Sequence, residues 1–337
     1  MRIGLIGYGA WGRFHARALA GLEGVTLAGI VCNGDASAAA AAADFPDVPV
    51  HRSLPALLAA PLDAVDIVAP NHLHAEMALA AIAAGKHVIA EKPLANTGAD
   101  CARIVAAARA AGVLVCINHE LRVSHQWERI HREIAAGAIG TPMAASFSLF
   151  RRPFRPGAGG WRHDAPRVGS WILEEPVHFF DLLLWYFAGQ GDPASLRADS
   201  SDAQGTLASN LTISVRYPTG AYFTVTQMLS GFEHHCALDI GGTAGALRTW
   251  WSGGDARVAT STAGMSILRA GADAPETMDF PHSGEVFELT EMLRRAVAGF
   301  STGTSPMPAA EAAKAVLLCL AAEQACRTGA AVPLRFD

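Results

Sequence analysis

Gly7-Tyr8-Gly9-Ala10-Trp11-Gly12 follows the apolar run Ile3-Gly4-Leu5-Ile6 and leads into a stretch of helix-forming residues. In such a Gly-x-Gly-x-x-Gly turn the first glycine permits a tight turn and the second lets the backbone approach a phosphate. The third lets helix and strand pack closely, which leaves a pyrophosphate at the helix N-terminus. The motif is weak alone, and a plain glycine-rich turn would match it too. Its position between a clear strand and a helix is what points to a dinucleotide.

The pattern continues outward from that turn. Strands are predicted over residues 2–7, 25–32, 64–69, 87–91 and 113–117, and helices over 11–22, 36–45, 74–84 and 98–111. The alanine run 38–43 reads as a surface helix rather than a linker, because alanine has the highest helix propensity. Strands alternating with helices make a parallel sheet with right-handed crossovers. After a helix over 126–136 the grammar changes to alternating strands at 143–150, 207–217, 221–228 and 236–240, and two helices at 285–298 and 309–327 close the chain. The expected fold is therefore an α/β Rossmann domain, a doubly wound parallel sheet over 1–120. An α+β domain with an antiparallel sheet, one face of it covered, follows over 121–337.

Bulk properties narrow the field. A chain of 337 residues is long for one core. A formal net charge of −5 offers no basic footprint for nucleic acid or an acidic membrane, and no apolar run reaches a membrane span of about eighteen residues. The first strand begins at once, leaving no room for a signal peptide, and the six cysteines show no paired-cysteine spacing. Buried thiols in a reducing cytoplasm are expected.

Cofactor choice is less legible. NAD is commonly held by an acidic residue at the end of the second strand, about twenty positions after the motif. Here that strand ends in Val31-Cys32-Asn33-Gly34-Asp35, with Cys32 in the acidic place and nothing basic until Arg52. NAD and NADP both stay open. The balance tilts slightly to NAD, because a 2′-phosphate without a cation is the costlier omission.

Two clusters carry chemistry. Glu91-Lys92-Pro93 ends a strand of the same sheet, at the edge where Rossmann ligands sit. Proline restricts the preceding residue to extended geometry, so the direction of Lys92 is set by the backbone. A lysine beside a bound alcohol stabilises alkoxide-like charge; a solvated strand-end lysine is the plainer reading. The second cluster runs from Gly169 to Asp181. Pro176 suits the first turn of a helix, so one is predicted from near Glu175 through Leu184, with His178 and Asp181 on one face and Glu174 just before it. A histidine beside a carboxylate is a credible general base. Read alone, it is better explained as a buried histidine satisfied by Glu175 or Asp181.

With those elements in place the chain resembles the glucose–fructose oxidoreductase / inositol dehydrogenase / MocA family over essentially its whole length. The matching stretches are GYGAWG at 7–12, NHLHAEMALAAIAAGKHVIAEKPLA at 71–95, GAIGTP at 137–142, GSWILEEPVHFFDLLLW at 169–185 and GGTAG at 241–245. The resemblance implies a catalytic Lys92, an acid/base His178 and Glu174 as its carboxylate partner. It implies a cofactor site drawn from Gly7, Gly9, Ala10, Trp11, Gly12, Cys32, Asn33, Asn71, His72, His74, Glu91, Lys92 and Asn118. It also implies that the second domain, for substrate binding and oligomerisation, carries a large, mostly antiparallel open sheet through which a homodimer or homotetramer forms. The family usually places Asp four residues before the histidine and a small residue between them; this chain has Glu174 and Pro176. The carboxylate is kept, one methylene longer.

Substrate clues are sparse. Arg151, Arg152, Arg155, Arg162 and Arg167 crowd the approach to the second cluster, with Trp161 among them. Arginines grip carboxylates or phosphates bidentately, and a tryptophan gives a sugar ring an apolar platform. A solvated loop or an oligomer contact explains the same residues. Lys92, Trp161, Arg162, Glu174 and His178 are the expected substrate contacts. His72-x-His74 and His234-His235 lack an acidic or thiol companion, so no metal is expected. The reading is an NAD- or NADP-dependent oxidoreductase acting on a secondary hydroxyl of a sugar, inositol or related polyol. Its rivals are a glycosidase acting by transient oxidation with bound NAD, and an inert cofactor-binding regulator.

Overall fold

The computed structural model describes residues 1–201, 207–253 and 261–336. The chain divides into two units. The first holds Met1–Glu120 with Pro166–Val168 and Val286–Val316; the second holds Leu121–Ala165, Gly169–Glu285 and Leu317–Asp337.

In the first unit β1 (Arg2–Ile6), α1 (Gly12–Gly21), β2 (Thr26–Val31), α2 (Asp35–Asp44), β3 (Val50–His51), α3 (Leu54–Leu58), β4 (Ala64–Ile67), α4 (His74–Ala83), β5 (His87–Glu91), α5 (Gly98–Ala111) and β6 (Val115–Asn118) follow one another. The strands lie in the order β3-β2-β1-β4-β5-β6, every pairing parallel. That order reverses between β1 and β4, the switch point at whose carboxyl edge ligands bind in such sheets. The strands are buried almost end to end because helices cover both faces. Local signals set the boundaries of α5: the Thr97 hydroxyl accepts from the Asp100 amide, and Gly112 at φ 64° ends it in the left-handed region. The alanine run sits inside α2 as expected. The two-residue β3 is too short to leave a pattern in the sequence.

The second unit contains α6 (His125–Ala135), β7 (Pro142–Phe150), α7 (Ala165–Val168, shared with the first unit), α8 (Trp171–Glu174) and α9 (Pro176–Tyr186). Strands β8 (Ser195–Ser200), β9 (Asn210–Arg216), β10 (Tyr222–Met228), β11 (His234–Gly242), β12 (Ala246–Gly253), β13 (Thr262–Leu268) and β14 (Glu276–Thr277) follow. Almost all of helix α10 (Glu285–Thr302) and the start of α11 (Ala309–Thr328) belong to the first unit, and the rest of α11 with strand β15 (Val332–Pro333) to the second. The nine-stranded sheet has the order β14-β13-β12-β11-β7-β10-β9-β8-β15. All its pairings are antiparallel except the central β7–β10, which is parallel because the long excursion through α8 and α9 returns the chain in the same direction.

One sheet face is apolar and the other mixed. Leu211, Ile213 and Val215 of β9 are buried, while Thr212, Ser214 and Arg216 alternate outward. The apolar face packs on α9, where the Phe147 and Phe179 rings stack at 4.0 Å and Phe180 lies 6.4 Å from Phe223. Nearly every residue of α9 is buried, His178 and Asp181 among them. A helix apolar all round belongs in a core, and its two polar side chains are accordingly exceptions with a purpose.

Candidate active site

In the first unit the glycines divide their labour. Gly7 has φ +103°, and a Cβ there would stand 2.1 Å from the Val68 carbonyl oxygen. A Cβ on Gly12 would stand 2.2 Å from the Gly7 oxygen, so both are demanded by the turn itself. Gly9 differs: a Cβ there would meet no atom within 4 Å. Packing within the protein therefore does not demand glycine there, and a dinucleotide pyrophosphate at the start of α1 fits that space.

Behind the turn lies a buried charge cluster. The Trp11 indole N–H donates to Glu91 Oε1 at 2.8 Å, and Asn118 Nδ2 donates to the same oxygen at 2.6 Å. His15 Nε2 lies 2.9 Å from that oxygen and His15 Nδ1 lies 2.7 Å from Asp66 Oδ2. Both imidazole nitrogens thus face carboxylate oxygens, and only the doubly protonated ring donates to both. Burial opposes that charge, but the Asp66 charge and the hydrogen bonds to both carboxylates outweigh it and raise His15 to about 10. Burial likewise pushes Glu91 up. The hydrogen bond and charge of His15, with Asn118 and the Lys92 charge, overcome it and hold the carboxyl well below its usual range.

Of the residues expected from the sequence, Trp11, Glu91 and Asn118 are brought together on one carboxylate oxygen. His15 and Asp66 were not anticipated. Their signal was present: Asp66 stands in the apolar strand Ala64-Val65-Asp66-Ile67 and His15 on the buried side of α1, and buried charge in such settings must be paired.

Lys92 follows Glu91 directly, and the Lys92–Pro93 peptide bond is cis. His74 Nδ1 lies 2.7 Å from the Pro93 carbonyl and Nε2 lies 2.8 Å from that of Ala69, which ties α4 to the segment after the lysine. Asn71 donates to the Val168 carbonyl at 3.0 Å, and His72 is exposed. At the end of β2 Cys32 is buried and Asn33 exposed; burial pushes the Cys32 thiol up, so it stays neutral.

In the second unit Ser170 caps α8 by accepting from the Leu173 amide, and Pro176 opens α9. Between them Glu175 has φ −129° and ψ −56°, a break that separates Glu174 from the helix bearing His178. Glu174 is buried, and its Oε1 accepts from Arg162 Nε. Arg162 lies over the Trp161 ring at 4.7 Å, and its carbonyl accepts from the Trp171 indole at 2.9 Å. Glu175 accepts from Arg151 at 2.6 Å and faces His234 Nε2 at 3.7 Å. Asp181 is gripped by Arg122, whose Nε and Nη2 each donate at 2.8 Å to different oxygens. His178 and Asp181 do share a stretch of α9, yet the Asp181 carboxylate is engaged by an arginine that sequence reasoning did not single out. Arg152 donates to the Phe232 carbonyl at 2.6 Å. The arginine-rich segment is therefore largely spent on internal carboxylates and carbonyls.

The comparisons with known proteins agree with this geometry. Residues 1–119 match the model of the oxidoreductase family with an NAD-binding Rossmann fold, and residues 127–248 match the GFO/IDH/MocA C-terminal domain. The chain is 39% identical over 197 residues to the 1,5-anhydro-D-fructose reductase of Ensifer adhaerens, covering 55% of this chain and 56% of that one. It is 32% identical over 253 residues to the inositol 2-dehydrogenase of Acidothermus cellulolyticus, covering 73% and 72%. In fold it is similar to a levoglucosan dehydrogenase solved with NADH and levoglucosan, with a TM-score of 0.84 at 20% identity over 99% of each chain. The chain therefore belongs to the Gfo/Idh/MocA family of oxidoreductases.

Proposed function

We propose that the protein is an NAD(P)-dependent dehydrogenase that oxidises a secondary hydroxyl of a sugar, inositol or related polyol, or reduces the corresponding ketone. The observation that carries this reading lies in the first unit. A lysine follows a fixed, ionised Glu91 at the carboxyl edge of β5, in the same sheet whose glycine-rich turn leaves space at Gly9. The names of the relatives, which act on anhydrofructose and inositol, support the substrate class.

A bound nicotinamide supplies the acceptor for the hydride that leaves the carbinol carbon. The chain's own groups do the rest. Lys92 donates to the substrate oxygen and stabilises its charge as the proton departs. His178 takes that proton. Glu174, held by Arg162, is a fixed anion that orients His178 in place of the family's shorter aspartate. Trp161 and Arg162 contact the substrate. Asn71, His72, His74 and Asn118 line the cofactor site with Gly7, Gly9, Ala10, Trp11, Gly12, Cys32 and Asn33.

The assembly proposed is a homodimer or homotetramer through the mixed face of the nine-stranded sheet, where Tyr222, Met228 and Trp250 are exposed. A cytoplasmic setting is proposed from the free thiols. Among the described residues no helix is long and apolar enough to cross a membrane.

The test is direct. Purified protein is mixed with NAD⁺ or NADP⁺ and a panel of inositols, aldoses, uronic acids and anhydrosugars, and reduced nicotinamide is followed by absorbance. Reduction that Lys92→Ala and His178→Ala both abolish is the expected result. Glycoside cleavage without cofactor turnover, or cofactor binding with no turnover of any kind, would replace the reading with the glycosidase or the regulator.

A further inference from the structure

The end of β2 is built for an anion. β3 pairs in parallel with β2, Ile30 beside Val50 and Val31 beside His51, and the Cys32 amide donates to the His51 carbonyl at 3.0 Å. That register carries Arg52, the first lysine or arginine after β2, to the turn that opens α2. Its Nη2 donates to the Asn33 carbonyl at 3.1 Å and its Nη1 to the Gly34 carbonyl at 3.2 Å. The same guanidinium holds the Asp35 carboxylate. Ser37 stands beside it, its hydroxyl donating to the Gly34 carbonyl at 2.8 Å.

Sequence distance made Arg52 look remote from the end of β2; the fold brings it to that turn, the region where a dinucleotide's ribose lies in such sheets. Meanwhile the position that would carry an acidic residue for a ribose diol is Cys32, a buried neutral thiol. It offers no carboxylate to accept from two ribose hydroxyls, and none to repel a phosphate. The remaining anion nearby is Asp35, whose side chain is 98% exposed while that of Arg52 is 50% exposed. Exposed pairs of this kind contribute about 0–1 kcal/mol. A phosphate monoester, with about −1.5 to −2 charges at neutral pH, outcompetes a single carboxylate for a guanidinium that matches its geometry.

We infer that Arg52, with Ser37 beside it, selects a dinucleotide carrying a 2′-phosphate, so that the protein prefers NADP(H) to NAD(H). The Asp35 carboxylate marks on Arg52 the place that the phosphate takes. This rests on the reading that the first unit binds a nicotinamide dinucleotide, and it reverses the tilt toward NAD that the sequence alone suggests.

Isothermal titration with NADP⁺ and NAD⁺, without substrate, tests it on the wild type, Arg52→Ala and Asp35→Ala. Charge-assisted hydrogen bonds of this kind set the expected scale at about 10- to 100-fold. NADP⁺ binds the wild type tighter by that factor. Arg52→Ala loses the factor for NADP⁺ and leaves NAD⁺ within about threefold, whereas Asp35→Ala tightens NADP⁺ alone. Raising salt weakens NADP⁺ more than NAD⁺. NAD⁺ binding as tightly as NADP⁺, or Arg52→Ala weakening both alike, overturns the inference and leaves the dinucleotide reading standing. Failure of both dinucleotides to bind overturns both.

Discussion

His15 Nε2 and Glu91 Oε1 lie 2.9 Å apart in the interior, joining the helix of the glycine-rich turn to the strand that ends at Glu91, one residue before Lys92. With Asp66 on the other ring nitrogen, an imidazolium is shared between two carboxylates. This gives stability a definite pH signature. His15 is raised in the folded state to about 10, so its contribution is full below the unfolded value of about 6.5 and is lost as pH rises toward 10. Glu91 is depressed, so its contribution is full above the ordinary carboxylate range and is lost as pH falls through its folded value. Urea midpoints from pH 5 to pH 10 should therefore show the wild type losing stability across the alkaline arm, and His15→Gln losing much less. Parallel profiles for the two proteins would show that the ring carries no buried charge.

Removing the acceptor is a separate experiment. Glu91→Ala leaves the donors of Trp11, His15 and Asn118 without their shared oxygen. Breaking a buried ion pair from one side costs about 3–5 kcal/mol, and a loss of that size in urea unfolding is expected. Glu91→Gln keeps an acceptor oxygen and drops the charge, so it should recover part of the loss.

Gly9 and Gly12 should separate ligand binding from folding. No protein atom stands within 4 Å of a Cβ on Gly9, whereas one on Gly12 stands 2.2 Å from the Gly7 oxygen. Gly9→Ala is expected to keep the wild-type melting temperature and to weaken dinucleotide binding about tenfold or more. Gly12→Ala is expected to destabilise the fold by about 1–3 kcal/mol, the range for overpacking. Equal melting temperatures for both variants would contradict the packing role of Gly12.

How much of this was legible in the sequence follows from which patterns are local. The βαβ alternation, the glycine turn, the Glu-Lys-Pro end and the helix started by Pro176 are contiguous, and each appeared with nearly the expected limits. β12 and β13 escaped notice because their exposed face mixes Arg248, Trp250 and Ser266 with small residues and the alternation is blurred. The charge partners were hidden for a different reason. Arg122 and Asp181, or Arg162 and Glu174, meet only after the chain has folded back on itself. Arg52 shows the same limit at shorter range, where a two-residue strand decides which turn the guanidinium reaches.

Lys92 and His178 should fail differently. Lys92→Met removes the donor to the substrate oxygen, and loss of one such donor lowers kcat by about 100- to 1,000-fold. On the proposed mechanism His178→Asn removes the proton acceptor, with an expected loss of about 100- to 10,000-fold in kcat. Wild-type turnover in His178→Asn would assign the base elsewhere.

The last prediction concerns Glu174, which stands where the family resemblance places an aspartate. Glu174 is longer than the usual aspartate and is buried against Arg162, itself stacked on Trp161. The extra methylene and the arginine belong together: the longer carboxylate reaches a guanidinium that holds it in one rotamer. Shortening it by Glu174→Asp should therefore not restore a family-like site but loosen the pair, lowering kcat with little change in KM. Arg162→Leu removes a charged donor from the buried carboxylate, at a cost of about 1–3 kcal/mol, and should lower kcat. Arg162→Lys keeps the charge without the planar fork and should rescue stability more than turnover. Full activity in Glu174→Asp, measured as kcat and KM across pH, would mean that Arg162 contacts only substrate and that the pairing plays no part in positioning His178.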